Sequence, residues 1–244
     1  MEAWFPASQL PLDNGGKNEM TGLLVPLFAA LLMVAADPGL PSNCTGCSFA
    51  GRQLRGADLA SVNYVGVDFA GADLRDANLR NANLTGVDFA GSDLRGADLR
   101  NANLTGVDLN QAQLPGARFG GARLTGVDLS RTNIQGLDFS GISMIGSDLR
   151  DTKASGAQFA GTDLEGADFN GADLRNASFR NAKLCTRNQD GRIHCATFRG
   201  AIMGGADLRG AQICGNGREP RRCEPVDAQT LRQSSESNLD GAIL

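Results

Sequence analysis

Every fifth residue from Phe49 to Leu184 is apolar, without a break. The 28 positions hold 16 Leu, 8 Phe and one each of Tyr64, Ile134, Met144 and Ala154. Neither a helix nor a straight strand gives that period. Five steps of about 100° smear the stripe around a helix, and five of about 180° send successive Leu to opposite faces of a strand. A single buried row requires the chain to bend toward one axis once every five residues. That is a solenoid, and Leu59, Phe69, Leu79, Phe89, Leu99, Phe119, Phe139, Phe159 and Phe179 are its expected core centres.

The flanking positions fit the same coil. Two residues before each centre stand 14 Ala, 5 Val and five Ser or Thr, small enough to point inward beside it. Asp or Asn most often precedes the centre, as at Asp58 and Asn83, pointing out or bonding the local backbone. Two after the centre comes Gly, Asn or Asp, as at Gly66, Gly86, Asn81 and Asn101, residues that tolerate a sharp corner. The pattern also recurs at 20 residues: Val67, Val87, Val107 and Val127 are in register, as are Phe119, Phe139, Phe159 and Phe179. Four five-residue sides therefore make one square turn. Turns stacked at roughly 4.8 Å give about seven turns and a rod of about 35 Å for the regular part. Each buried Leu or Phe contributes on the order of 1.5–3 kcal/mol before chain entropy is subtracted.

Units such as Ala57-Asp58-Leu59 and Ala82-Asn83-Leu84-Thr85-Gly86 resemble those of pentapeptide-repeat proteins over about Cys44 to Leu184 and again over Ala196 to Ile213. The resemblance implies an all-β fold, a right-handed quadrilateral β-helix, with no shared catalytic residues. Arg52 at an inward position predicts an irregular first turn. Bulky Leu137, Ile142 and Met144, with Ala154 as a small centre, predict uneven packing near them.

The array divides the chain. Residues 1–36 form an N-terminal extension and signal-like segment: Leu23 to Ala36 is 14 apolar residues, short for a bilayer span and interrupted by Pro26. Val34-Ala35-Ala36 resembles a cleavage site before Asp37, and either Met1 or Met20 is a candidate start. Residues 37–43, with Pro38 and Pro41, read as a linker and 44–184 as the coil. Residues 185–195 read as a Cys-bracketed polar loop, 196–213 as further repeats, and 214–244 as a second Cys-bracketed loop and cap. In the cap, Val226 to Gln233 reads as a short helix and Leu239 to Leu244 as a last repeat.

The six Cys lie outside the regular array: Cys44 and Cys47 before it, Cys185, Cys195, Cys214 and Cys223 after it. Even number and end placement suggest stapling disulfides in an oxidising compartment. The expected pairs are Cys185–Cys195 and Cys214–Cys223, with Cys44–Cys47 the third, although six Cys permit 15 connectivities. Cys44-x-x-Cys47 also reads as a redox or metal half-site, but a thioredoxin-like role lacks its βαβ context and zinc would have to recruit His194 and Cys195 from far along the rod. His194 is the only histidine, with no nucleophile and acid singled out beside it. No catalytic residue, metal or cofactor is therefore assigned.

Asp68, Asp88, Asp108, Asp128, Asp148 and Asp168 form an outward acidic column. Some proteins of the family it resembles imitate DNA and bind DNA gyrase, which makes a cytosolic DNA mimic one alternative. Between Cys44 and Leu184, however, 16 acidic residues face 14 basic ones, with Arg55, Arg75 and Arg95 in one column and Arg80 and Arg100 in another. Such alternating stripes favour a solvated or patterned surface. The basic columns lack outer aromatics and the net charge is −4, which argues against direct nucleic-acid binding. The repeat itself generates the sequons at Asn43, Asn83, Asn103 and Asn176, and Ile145 is an isolated apolar surface candidate. The leading expectation is an exported (secreted or periplasmic), non-enzymatic scaffold that presents flat β faces to a protein partner or the cell envelope. It takes no small-molecule substrate, and touches membrane only through an uncleaved signal segment. The cytoplasmic gyrase-directed mimic is the alternative, and a Cys-based redox or metal protein the second.

Overall fold

The computed structural model describes residues 40–187, 193–215, 223–225, 229 and 242–243. All of them belong to one compact unit, residues 34–244. The signal-like segment lies outside the described residues, as does the expected capping helix at 226–233 apart from Gln229.

The chain winds as a right-handed quadrilateral β-helix. Parallel bridges join residues before a centre to their equivalents 20 positions on, from Ser48–Asp68 to Asp163–Lys183, with Arg118–Asp138 the one exception. We number the four walls by their centres: wall 1 carries Phe49, Phe69 and so on, wall 2 Leu54 and Leu74, wall 3 Leu59 and Leu79, wall 4 Tyr64 and Leu84. On each wall one turn hydrogen bonds to the next, as in Leu79 N–H to Asp98 O at 2.8 Å and Asp98 N–H to Ala77 O at 2.9 Å. At each corner an inward amide closes back on the preceding centre, as in Ala77 N–H to Leu74 O at 3.1 Å. Most of the backbone is thus satisfied with few residues in long strands.

The corner residue two after each centre lies in the left-handed region, which is why Gly dominates there. Asp76, Asn81 and Asn101 substitute as Asx residues can, but Ser61, Gln111 and Arg131 hold φ of 59°, 57° and 59° with no such licence.

The core centres are closed to solvent, with Leu59 and Phe119 the most exposed of the nine at 1 %. Opposite walls share the bulk. Wall 1 runs Phe49, Phe69, Phe89, then Leu109, Leu129, Leu149; wall 3 runs Leu59, Leu79, Leu99, then Phe119, Phe139, Phe159, Phe179. A large ring faces a smaller side chain, so the cross-section keeps its volume as the rings change walls. Rings within a wall stack, at 5.3 Å for Phe69–Phe89 and 5.5 Å for Phe139–Phe159. Where both walls carry Phe, Phe169 meets Phe159 and Phe179 edge-on at interplanar angles of 80° and 86°, the other favoured geometry. Ala154, fully buried, is the small centre just before these paired rings.

The ends are closed differently. Strand β1 (Asn43–Thr45) pairs in parallel with β2 (Asn63–Val65), so the coil begins inside the stretch read as a linker. The buried Tyr64 hydroxyl donates to Pro41 O at 2.7 Å, and Leu40, Cys44 and Cys47 pack on the core. Arg52 is exposed rather than inward, its guanidinium 6.0 Å from the Phe49 ring centroid, over the end of the stack. After Leu184 the segments read as loops are rooted in strands. β3 (Lys183–Arg187) and β4 (Ile193–Cys195) form an antiparallel hairpin, as do β5 (Gln212–Gly215) and β6 (Cys223–Pro225). β3 pairs with β5 in parallel, giving a four-stranded sheet in the order β4-β3-β5-β6. The coil resumes with a 29-residue offset, as in Asp168–Thr197, and Ile243 bridges Asp207 as a last rung.

Candidate functional site

With the interior filled by hydrocarbon, any recognition lies on the outward positions of the walls. The residue before each centre does two things. Its carbonyl and amide build the ladder, and its side chain, when Asp or Asn, accepts a hydrogen bond from the backbone N–H two residues on. Asp68, Asp88, Asp108, Asp128, Asp148 and Asp168 all do this, to the amides of Ala70, Ala90, Asn110, Ser130, Arg150 and Asn170, over 2.8–3.0 Å. The column is therefore half-buried and structural as well as acidic. Its carboxylates stack in one unbroken ladder on wall 1. Among the described residues no Arg or Lys pairs with Asp68, Asp88, Asp108 or Asp128. Ser48 donates to Asp68 at 3.0 Å and Thr197 to Asp168 at 2.9 Å, and Arg150 forks onto Asp148 and stands 3.9 Å from Asp168.

Walls 2 and 3 carry paired charges instead. Where Asp precedes and Arg follows a centre, the guanidinium folds back in a two-pronged pair, Nε at 2.8 Å in Asp73–Arg75, Asp93–Arg95, Asp98–Arg100 and Asp173–Arg175. The Arg100 hydrogen bond lowers the Asp98 carboxyl to about 2 against the desolvation that raises it, and Arg209 does the same for Asp207, also to about 2. For Asp148 burial pushes upward, but the Arg150 fork outweighs it and the net shift is down. This Asp-centre-Arg pairing was legible as two charges two apart on a strand, hence on one side of the wall.

Wall 4 is uncharged over its first turns. Asn83 donates to Asn63 Oδ1 at 2.7 Å and Asn103 to Asn83 Oδ1 at 3.0 Å, while Thr85 and Thr105 hydroxyls bond Asn83 and Asn103 at 2.7 Å. Val65 is exposed there; Ile145 is half-buried.

The Sγ atoms of Cys44 and Cys47, and of Cys185 and Cys195, lie at disulfide distance. Cys185 and Cys195 are buried at the root of the first hairpin, opposite each other in the ladder. Cys214 faces Cys223 in the same backbone relation in the second. His194 is exposed on β4, opposite Thr186. Cys195 is thus engaged with Cys185, so the Cys44, Cys47, His194, Cys195 ligand set is not assembled. Among the described residues no His, Cys, Asp and Glu cluster suited to a metal exists, and no helix is long and apolar enough to cross a membrane.

A family model described as pentapeptide repeats matches in eight copies spanning residues 42–151 and 155–186. No curated protein matches. Among solved structures the chain is similar to HetL, a pentapeptide repeat protein involved in heterocyst differentiation regulation from the cyanobacterium Nostoc sp. strain PCC 7120, at 28% identity, covering 69% of this chain and 84% of that one, with a TM-score of 0.30. Full-length QnrB1, a plasmid-mediated fluoroquinolone resistance protein, matches at 20% identity over 70% of this chain and 93% of that one, with a TM-score of 0.30. A pentapeptide repeat protein of the Arabidopsis thaliana thylakoid lumen matches at 26% over 55% and 70%, with a TM-score of 0.16.

Proposed function

Because this chain belongs to the pentapeptide-repeat family, we propose that it is an exported, non-enzymatic scaffold whose β walls bind a protein partner or a component of the cell envelope. One observation carries the reading: polar side chains are held in fixed rows, by Asx bonds and Arg forks, on a coil whose interior has no room for a substrate. A rigid array of this kind gives up little conformational entropy on binding. Export is supported by the Cys pairs at both ends of the coil and by the apolar stretch from Leu23 to Ala36. Intact-mass analysis of the protein from its native cells tests this. The expected mature chain begins near Asp37 with oxidised Cys; retention of Met1 or Met20 with free thiols overturns export.

A second reading has its own observation. Asp68 to Asp128 form a continuous acidic ladder with no salt bridge to Arg or Lys among the described residues. Such a ladder suits a cytosolic DNA mimic directed at gyrase. Inhibition of gyrase supercoiling by the purified protein would favour it, and no effect at high concentration removes it.

A further inference from the structure

The ladder fails at one place. Between the turn carrying Leu114 and Phe119 and the turn carrying Ile134 and Phe139, the wall 3 bridge is missing, and wall 2 keeps its Gln113–Asn133 bridge without close backbone hydrogen bonds. Elsewhere in the regular coil each centre amide bonds the next turn, as Leu94 does to Gln113 O at 2.8 Å and Leu99 to Arg118 O at 2.9 Å. Among the described residues, the amides of Leu114, Gly116, Phe119, Gly121, Asn133 and Asp138 make no close bond of this kind; Gln113 and Asn133 remain bridged, and the Arg118–Asp138 bridge is the one gap in the 20-residue series. The same two turns stay joined on the other side, through Leu109 to Asp128 O at 2.7 Å on wall 1 and Leu124 to Ser143 O at 2.8 Å on wall 4. At the boundary, Gln111 to Ser130 O is stretched to 3.4 Å.

Two cavities open along this line. One, about 370 Å3, is lined by Gln111, Gln113, Pro115, Arg131 and Asn133. The other, about 240 Å3, lies around the corner between Arg118, Gly120 and Ser140. Gln111 and Arg131, two of the left-handed corners that are neither Gly nor Asx, flank the first. The cause is visible in the inward column. Leu137 and Ile142 stand where the turn below has Ala117 and Ala122 and the turn above has Ala157 and Thr162. Both are buried. Leu137 sits on wall 3 beside the lost Arg118–Asp138 bridge and Ile142 around the corner on wall 4, and a close-packed interior has no slack to take up their bulk; the Phe119–Phe139 stack keeps its 5.2 Å, so the backbone rung is what gives way.

We infer that this seam is a built-in joint. The stack of turns before it and the stack after it swing about the intact rungs of walls 4 and 1, and the slit on walls 2 and 3 opens and closes. A rod otherwise held by continuous hydrogen bonding gains one bend, placed mid-length, that changes the curvature it offers on wall 1. Local opening free energy is low where rungs are absent.

Two measurements on the full chain test this. Amide hydrogen exchange should run at least about tenfold faster at Leu114, Gly116, Phe119 and Gly121 than at Leu94, Gly96, Leu99 and Asn101 one turn earlier. Equal protection overturns the proposal. Residual dipolar couplings should then require different alignment magnitudes for the turns before Leu109 and those after Met144. Fast exchange with one common tensor means a static crack, and also overturns it. The double variant Leu137→Ala, Ile142→Val should slow exchange at the seam and merge the two tensors. If that variant does not fold, the comparison within the natural sequence still decides.

Discussion

At the scale of the residue, the corner sets the rules. Gly121 holds φ of 73°, and a Cβ there would stand 2.2 Å from Asn101 Oδ1, whereas a Cβ on Gly126 meets nothing within 4 Å. Gly126→Ala should cost about 1–2 kcal/mol from the left-handed backbone alone. Gly121→Ala should cost measurably more, because Asn101 must also give way; thermal unfolding of the pair checks this. The Asp-Arg forks have a pH signature. Folded Asp98 and Asp207 titrate at about 2, below the unfolded carboxyl near ~3.9. Their stabilisation is therefore complete above the unfolded value and is lost as pH falls through it toward about 2. Arg100→Gln should therefore lower stability modestly at neutral pH, since these pairs are partly exposed, and little at the acid end where the fork no longer contributes, so the acid limb of the denaturant-unfolding profile against pH flattens.

At the scale of the element, wall and hairpin differ in how far the sequence revealed them. The five-residue row made every buried centre legible, because one side chain per bend must face the axis whatever its neighbours are. The row of Ala, Val, Ser and Thr was legible for the same reason. Some of its hydroxyls then find backbone acceptors, as Ser147 does at Leu124 O and Thr162 at Phe139 O, both 2.6 Å. The hairpins were not legible. Thr186 to His194 is polar and carries no alternation, and its strands exist because β3 continues wall 4 and β5 stacks on it. The left-handed Gln111 and Arg131 escaped for a related reason: position, not residue type, imposes that conformation. Cys214 and Cys223 are backbone partners just as Cys185 and Cys195 are, so a disulfide between them is expected. Peptide mapping under non-reducing conditions should recover a Cys214–Cys223 fragment; a Cys44 or Cys47 cross-link to either would refute the pairing.

At the scale of the whole molecule, stability is close to a sum over neighbouring turns, so position along the rod matters less than what a turn packs on. Phe139 sits between Phe119 at 5.2 Å and Phe159 at 5.5 Å, opposite the Leu129 and Leu149 stretch of wall 1. Phe139→Ala should cost about 3–5 kcal/mol. Because the mutated turn adjoins the seam, denaturant unfolding should lose cooperativity, splitting into two transitions. A single transition with unchanged slope would show that the coil unfolds as one unit.

The nine-residue excursion between Cys185 and Cys195 leaves no trace in the winding that follows. Asp168 finds Thr197 as faithfully as Asp148 finds Asp168, and the Ala196 amide reaches Leu184 O across the hairpin's foot at 2.7 Å. The wall 4 corner after Leu184 is therefore a splice point: foreign sequence grafted between Thr186 and His194 would be displayed on a stalk, fastened at its base, with the phase of every later turn preserved.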